Sequence, residues 1–198
     1  MAFTGNVNKV ILPTPKNLPT IGGLYRGAST LTMPTTLTTP DVGFKNLGFV
    51  AEDGIEENED RPTTSIFAWG SDLVAKPQES FDLTVTFTLY EFLNAEVAKA
   101  RYGDNNVTVT PADETTGEQM SIVQTSDAAG FNTWLIDSFA PGGKRFQKFF
   151  PIGQFINADS QPINHKTVLA HRMTVTFYPD TSGRYAHILT DDGVLDAS

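Results

Sequence analysis

The chain has 198 residues, 39% apolar and 19% charged, with a formal net charge of −9 and no cysteine. The length suits one well-packed domain. The acidic balance argues against ordinary nucleic-acid binding, which needs clustered Lys and Arg to displace phosphate counterions, and the lack of cysteine excludes disulfides and thiolate metal ligands. Thr, Asn, Gly and Pro make up for the missing apolar and charged residues, and they favour strands and turns over helices.

Residues 1–45 read as an extended N-terminal arm. Pro13, Pro15, Pro19, Pro34 and Pro40 deny helix and interrupt ladder hydrogen bonding. Val10, Ile11 and Leu12, and farther on Leu24 with Tyr25, are apolar enough to dock on a neighbouring subunit. The opening MAFTGNVNKV lacks the charged and apolar regions of a secretion signal, and no apolar stretch approaches membrane-spanning length. Charge is uneven: Lys9, Lys16, Arg26 and Lys45 face only Asp41 before residue 52. Glu52, Asp53, Glu56, Glu57, Glu59 and Asp60 then follow as a run expected to form a solvated loop, with Glu56, Glu57 and Asp60 as further candidates for contacts between subunits.

Strands begin at Leu47–Ala51, with a turn expected at Glu52-Asp53-Gly54, where glycine supplies a positive φ. Thr64–Trp69 and Leu73–Ala75 are further short strands. Ser80–Tyr90 carries the sharpest pattern. Phe81, Leu83, Val85, Phe87 and Leu89 alternate with Asp82, Thr84, Thr86, Thr88 and Tyr90, the period of a strand with one dry face and one wet one. One helix follows: Asn94 is a good N-cap, Glu96 complements the helix start, and Gly103 supplies the stop. A helix this short needs a sheet to pack on.

More strands are predicted at Asn106–Thr110, Met120–Gln124, Phe131–Phe139 and Lys144–Phe150. Val168–Tyr178 alternates again, with Leu169, Met173, Val175 and Phe177 on one side and Ala170, Arg172, Thr174, Thr176 and Tyr178 on the other. Arg184–Leu189 is a last short strand. Residues 46–190 thus read as one β domain and 191–198 as a C-terminal tail.

Catalytic constellations are hard to find. His165, His171 and His187 lack any metal-ligand spacing. Gly142-Gly143-Lys144-Arg145 departs from a phosphate loop, since Ser138 stands at its first glycine and Arg145 replaces the Ser or Thr; it reads as a hairpin turn. Ser71 in Trp69-Gly70-Ser71-Asp72 lacks the setting of a nucleophile elbow and reads as a turn residue. The acidic run lacks the alternating ligands of a calcium loop. No cofactor and no enzymatic activity are expected.

The succession Leu47-Gly48-Phe49-Val50-Ala51-Glu52-Asp53-Gly54, Ile66-Phe67-Ala68-Trp69-Gly70, Phe81–Glu91, Asn94–Arg101 and Tyr102-Gly103 resembles the major tail (tail-tube) proteins of long, non-contractile bacteriophage tails, in the versions found in phages of actinobacteria. The resemblance covers about residues 20–103. It implies a β-sandwich or split barrel with one flanking helix, assembling into hexameric rings that stack as the tail tube and conduct DNA into the host. The implied location is the virion tail, assembled in the host cytoplasm without a membrane. The implied partners are other copies of the chain, a tape-measure protein, the tail terminator, tail-tip proteins, and DNA that passes without specific binding.

On that reading the wet faces of the two alternating strands are candidates for the channel wall: Asp82, Thr84, Thr86, Thr88, Arg172, Thr174 and Thr176. Arg172 would hold passing phosphate unless an acid neutralises it, with Asp82 or an acid of the 52–60 run expected to do so. Two other readings remain: a different ring protein of related fold, such as a terminator or a secretion-tube subunit, or a carbohydrate-binding β-sandwich of a phage fibre that stacks sugars on Trp69, Tyr90, Trp134 or Tyr178.

Overall fold

A computed structural model describes residues 6, 9–15, 23–159 and 162–195. The alternation after Ser80 becomes strand β6 (Asp82–Leu89), and the second alternating run becomes β11 (His171–Tyr178). They pair antiparallel with Thr84 opposite Thr176, Thr86 opposite Thr174 and Thr88 opposite Arg172. That register turns Leu83, Val85, Phe87, Leu89, Met173, Val175 and Phe177 to one side, where all seven are buried. Each such side chain contributes about 1.5–3 kcal/mol of transfer free energy, so the inward face of this pair is fixed by the sequence period alone.

Among the described residues the fold is mainly β, with antiparallel sheets and one α-helix. The other strands are β1 (Leu24–Ala28), β2 (Lys45–Asn46), β3 (Val50–Asp60), β4 (Ile66–Phe67), β5 (Leu73–Ala75), β7 (Val107–Thr110), β8 (Gln119–Ile122), β9 (Phe131–Ala140), β10 (Lys144–Ala158) and β12 (His187–Asp191). The main sheet runs β2-β1-β9-β10-β11-β6-β3, and β12 pairs with β10. The fifteen-residue β10 is its spine, with β9 along one edge and β12 and then β11 along the other. The sheet curls until Lys148 of β10 reaches Glu57 of β3, with Nζ 2.6 and 2.5 Å from the two carboxylate oxygens.

Inside the curl lies the principal core, where Leu24, Leu47, Trp134 and Phe150 join the inward residues of β6 and β11. Helix α1 (Ala95–Tyr102) adds Val97 and Ala100. Its cap is as the sequence predicts: Asn94 accepts a hydrogen bond from the Glu96 N–H, and the Gly103 N–H donates to the Lys99 carbonyl. Gly153 sits where β10 passes beneath stacked Phe150 and Phe177. A Cβ there would lie 2.6 Å from both the Phe177 and Trp134 rings, so no larger residue fits.

The sheet's outer face divides in two. Around β1, β9 and the first half of β10 it is apolar, and Leu31, Met33 and Phe44 cover Tyr25, Leu135 and Phe149. This covering strap is pinned at Thr38, whose carbonyl accepts from Gln147 at 2.7 Å and Arg145 at 2.8 Å. Around β3, β6, β11 and the second half of β10 the outer face is polar.

Three expectations are corrected here. Residues 23–45 are not a free arm: β1 is paired with both β2 and β9, and Tyr25, read as a contact with another subunit, is 3% exposed inside its own chain. The prolines that suggested an arm flank this strand instead of interrupting it. The acidic run is not a loop, because Ile55–Asp60 pairs residue for residue with β6. The turn expected at Glu52-Asp53-Gly54 is a bulge within β3, where the five steps from Val50 to Ile55 oppose two from Leu89 to Phe87 and Gly54 has φ +77°. The tail read as 191–198 begins with the last residue of β12, and 196–198 lie outside the described residues.

Candidate functional site

Pairing across β3, β6, β11 and β10 sets the polar half of the outer face in rows. Glu56, Thr86, Thr174 and Asn157 form one row, and Asn58, Thr84, Thr176 and Gln154 the next; Asp60 faces Asp82 beyond them. The seven wall candidates, Asp82, Thr84, Thr86, Thr88, Arg172, Thr174 and Thr176, all fall on this one surface. Neighbouring side chains bond to each other. The Thr86 and Thr174 hydroxyls are 3.0 Å apart, Thr176 donates to Asp82 at 3.1 Å, and the Tyr178 hydroxyl donates to Gln154 at 3.0 Å.

Arg172 is the wall's cation, and its partner is Asp159, at 2.8 Å, rather than Asp82 or an acid of residues 52–60. Asp159 follows the end of β10, beside the Arg172 end of β11, whereas Asp82 lies at the opposite end of β6. With that pair neutralised, the wall's remaining charges are Glu56, Asp60 and Asp82, all negative.

The candidates for contacts between subunits scatter. Glu56 and Asp60 lie on the same polar face as the wall candidates. Glu57, one residue out of phase, turns to the inner side and pairs with buried Lys148. Val10 and Leu12 are exposed and Ile11 is half-buried. Near them the chain is tied to the sheet: Thr14 exchanges two main-chain hydrogen bonds with Phe139, and Lys144 donates to the Val10 carbonyl.

Between β3 and β6 the chain leaves the sheet as a ribbon, residues 61–79. Its base is tied by the Thr63–Gln78 bridge, by bonds between Pro62 and Glu79 and between Thr64 and Pro77, and by Arg61 stacked 4.3 Å over Phe81. Strands β4 and β5 lie farther out, and the tip turns at Gly70 and Ser71, both with positive φ. Ile66, Phe67, Trp69, Leu73 and Val74 are all exposed, Trp69 completely. The sequence signals were two short apolar runs around Trp69-Gly70-Ser71-Asp72, which locate a hairpin but not its projection away from any core.

A second feature has no counterpart in the sequence reading. An open cavity of about 500 Å³ lies where β3 approaches β9 and β10. Val50, Ile55, Ile136 and Phe146 give it apolar walls, and Glu52, Glu57 and Lys148 supply charge. Its residues are contributed by five separated segments, so no local pattern announces it.

Trp134 is 2% exposed and packed in the principal core, which removes it from the sugar-binding candidates. Among the described residues no cluster of three or more His, Asp or Glu is placed to hold a metal ion. No described helix is long and apolar enough to cross a membrane. No protein-family model matches the chain, and a search of curated proteins likewise finds no match.

Proposed function

We propose that the chain is a structural subunit that assembles with its own copies into a tube, with the Thr-rich face of β3, β6, β11 and β10 toward a channel that DNA traverses. The observation that carries this is the in-register polar wall. Four strands present hydroxyls, amides and carboxylates on one surface, while their opposite faces supply the core. Such a face suits the wet interior of a large barrel. Its unpaired charges are negative, so duplex phosphates are repelled and not retained. The ordered motifs at 47–103, similar to those of phage tail-tube subunits, support the same reading and suggest stacked hexameric rings, a tape-measure protein, a terminator and tail-tip proteins as partners.

Negative-stain microscopy and sedimentation of the purified chain test the proposal. Rings or tubes with a lumen wide enough for duplex DNA are expected. A strictly monomeric species at high concentration would overturn it, and rings that never stack would assign the chain to the terminator class.

A further inference from the structure

Among the described residues, the tip of the 61–79 ribbon and the cavity beside β3 are two apolar features left open. Both adjoin one strand, since Val50, Ala51, Glu52, Gly54, Ile55 and Glu57 line the cavity and the ribbon leaves after Asp60. None of the ribbon's residues lines the cavity. We propose that the ribbon tip of one copy, led by Trp69 and flanked by Phe67 and Leu73, seats in the β3–β9–β10 cavity of a second copy. The inference rests on the assembly reading above and specifies one of its contacts.

Chemistry and shape favour this occupant. A two-stranded ribbon is marginally stable alone, and this one exposes five large apolar side chains without a covering layer, which marks an interaction surface. The cavity's volume falls within the range, about 300–1,000 Å³, of sites that enclose a ligand group, so an indole and its neighbours fit. Charge agrees as well. The chain carries −9, so copies repel, yet from Pro62 to Gln78 the only charges are Asp72 and Lys76. Among the described residues Lys76 has no ionic partner on the ribbon, and neither does Glu52 at the cavity. A membrane is the poorer alternative, because the acidic wall and acidic β3 adjoin the ribbon's base.

A tip and a cavity on different patches make a heterologous contact, which repeats without closing unless a rotation brings the chain of copies back on itself. Trp69→Ala removes the tip's anchor without touching the core. It should leave the monomer's thermal transition unchanged and raise the concentration needed for assembly on the order of tenfold or more. A direct test mixes a Trp69→Cys chain with a Phe146→Cys chain under assembly conditions and oxidises them. The native chain has no cysteine, so a disulfide-linked heterodimer reports tip and cavity in contact.

If wild-type chains assemble while Trp69→Ala assembles equally well and the mixed cysteines do not link, the seating is wrong and the assembly reading stands. If wild-type chains never associate, both fail. Binding of the ribbon to neutral phosphatidylcholine vesicles, lost in Trp69→Ala and unaccompanied by self-association, would also overturn the seating.

Discussion

His171 is enclosed at 0% exposure, stacked on Phe92 with centroids 4.6 Å apart and met at its edge by Tyr102. Its Nδ1 lies 2.8 Å from Arg101 Nη1, an arrangement that requires a neutral ring accepting from the guanidinium. Burial first, and the Arg101 charge second, pull its pKa from 6.5 down to about 4. The sign follows from proton counting. Above pH 6.5 neither state binds a proton at this site; between 6.5 and about 4 the unfolded chain does and the folded chain does not. Stability therefore falls as pH drops through that window, by about 3 kcal/mol in all, and levels off below it. Thermal unfolding at pH 7 and pH 4.5 should show this loss in the wild type and a smaller one in His171→Leu. Asp113 and Asp180 act lower. Backbone N–H groups, of Thr115 and of Arg184 first, hold their carboxyls at about 2, so their contribution is lost only as pH falls below the ordinary carboxylate value of 3.8. Asp137 is another sensitive residue, with no exposed side chain and two bonds from Arg145, at 3.1 and 2.8 Å. Asp137→Asn leaves that guanidinium uncompensated beneath the strap and should cost about 3–5 kcal/mol in denaturant unfolding.

Among elements, the N-terminal region divides at the start of β1. Residues 9–15 are held by the Thr14–Phe139 pair and the Lys144 bond to Val10. Deleting residues 1–15 should therefore cost only about 1–3 kcal/mol and leave a cooperative transition. Deleting 1–28 removes Leu24 and Tyr25 from two cores and should abolish that transition; circular dichroism melts distinguish the two outcomes. The same division shows what could be read from the sequence and why. Strands β6 and β11 and helix α1 were legible because each obeys a local rule: alternation for the strands, a cap and a glycine stop for the helix. Strand β3 was not. At a sheet edge only its inner side chains need be dry, and one of those is a glutamate satisfied by Lys148, 91 positions along the chain. Strand β1 was hidden by neighbouring prolines, though its five residues are intact. His171 broke the apolar period of β11 because an imidazole paired with Arg101 replaces a hydrocarbon in the core. That these residues share one polar face was legible because they are the complement of the buried set. Their coherence across four strands was not visible, because register belongs to pairs of strands.

At the scale of the molecule, the wall's charge is the quantity to alter. Asp82 is exposed and lies at the end of β6, so Asp82→Lys should leave the fold and the tubes intact. In the proposed tube it introduces an attraction for phosphate that salt weakens over a Debye length of about 10 Å at 0.1 M. DNA ejection from particles carrying the variant should slow at low ionic strength and recover at high. Unchanged ejection at both would place this face away from the channel.

The hydrogen bonds within the wall bear on friction. Thr86 and Thr174 bond to each other, Thr176 is engaged by Asp82, and Tyr178 by Gln154. If this face lines the proposed channel, a polyanion moving along it meets several donors already engaged, and a brief bond to a phosphate at those positions has to displace one made inside the protein. On that proposal the barrier between successive resting positions stays low, and the surface would act as a lubricated lining over which a stiff, charged rod slides without a preferred stopping place.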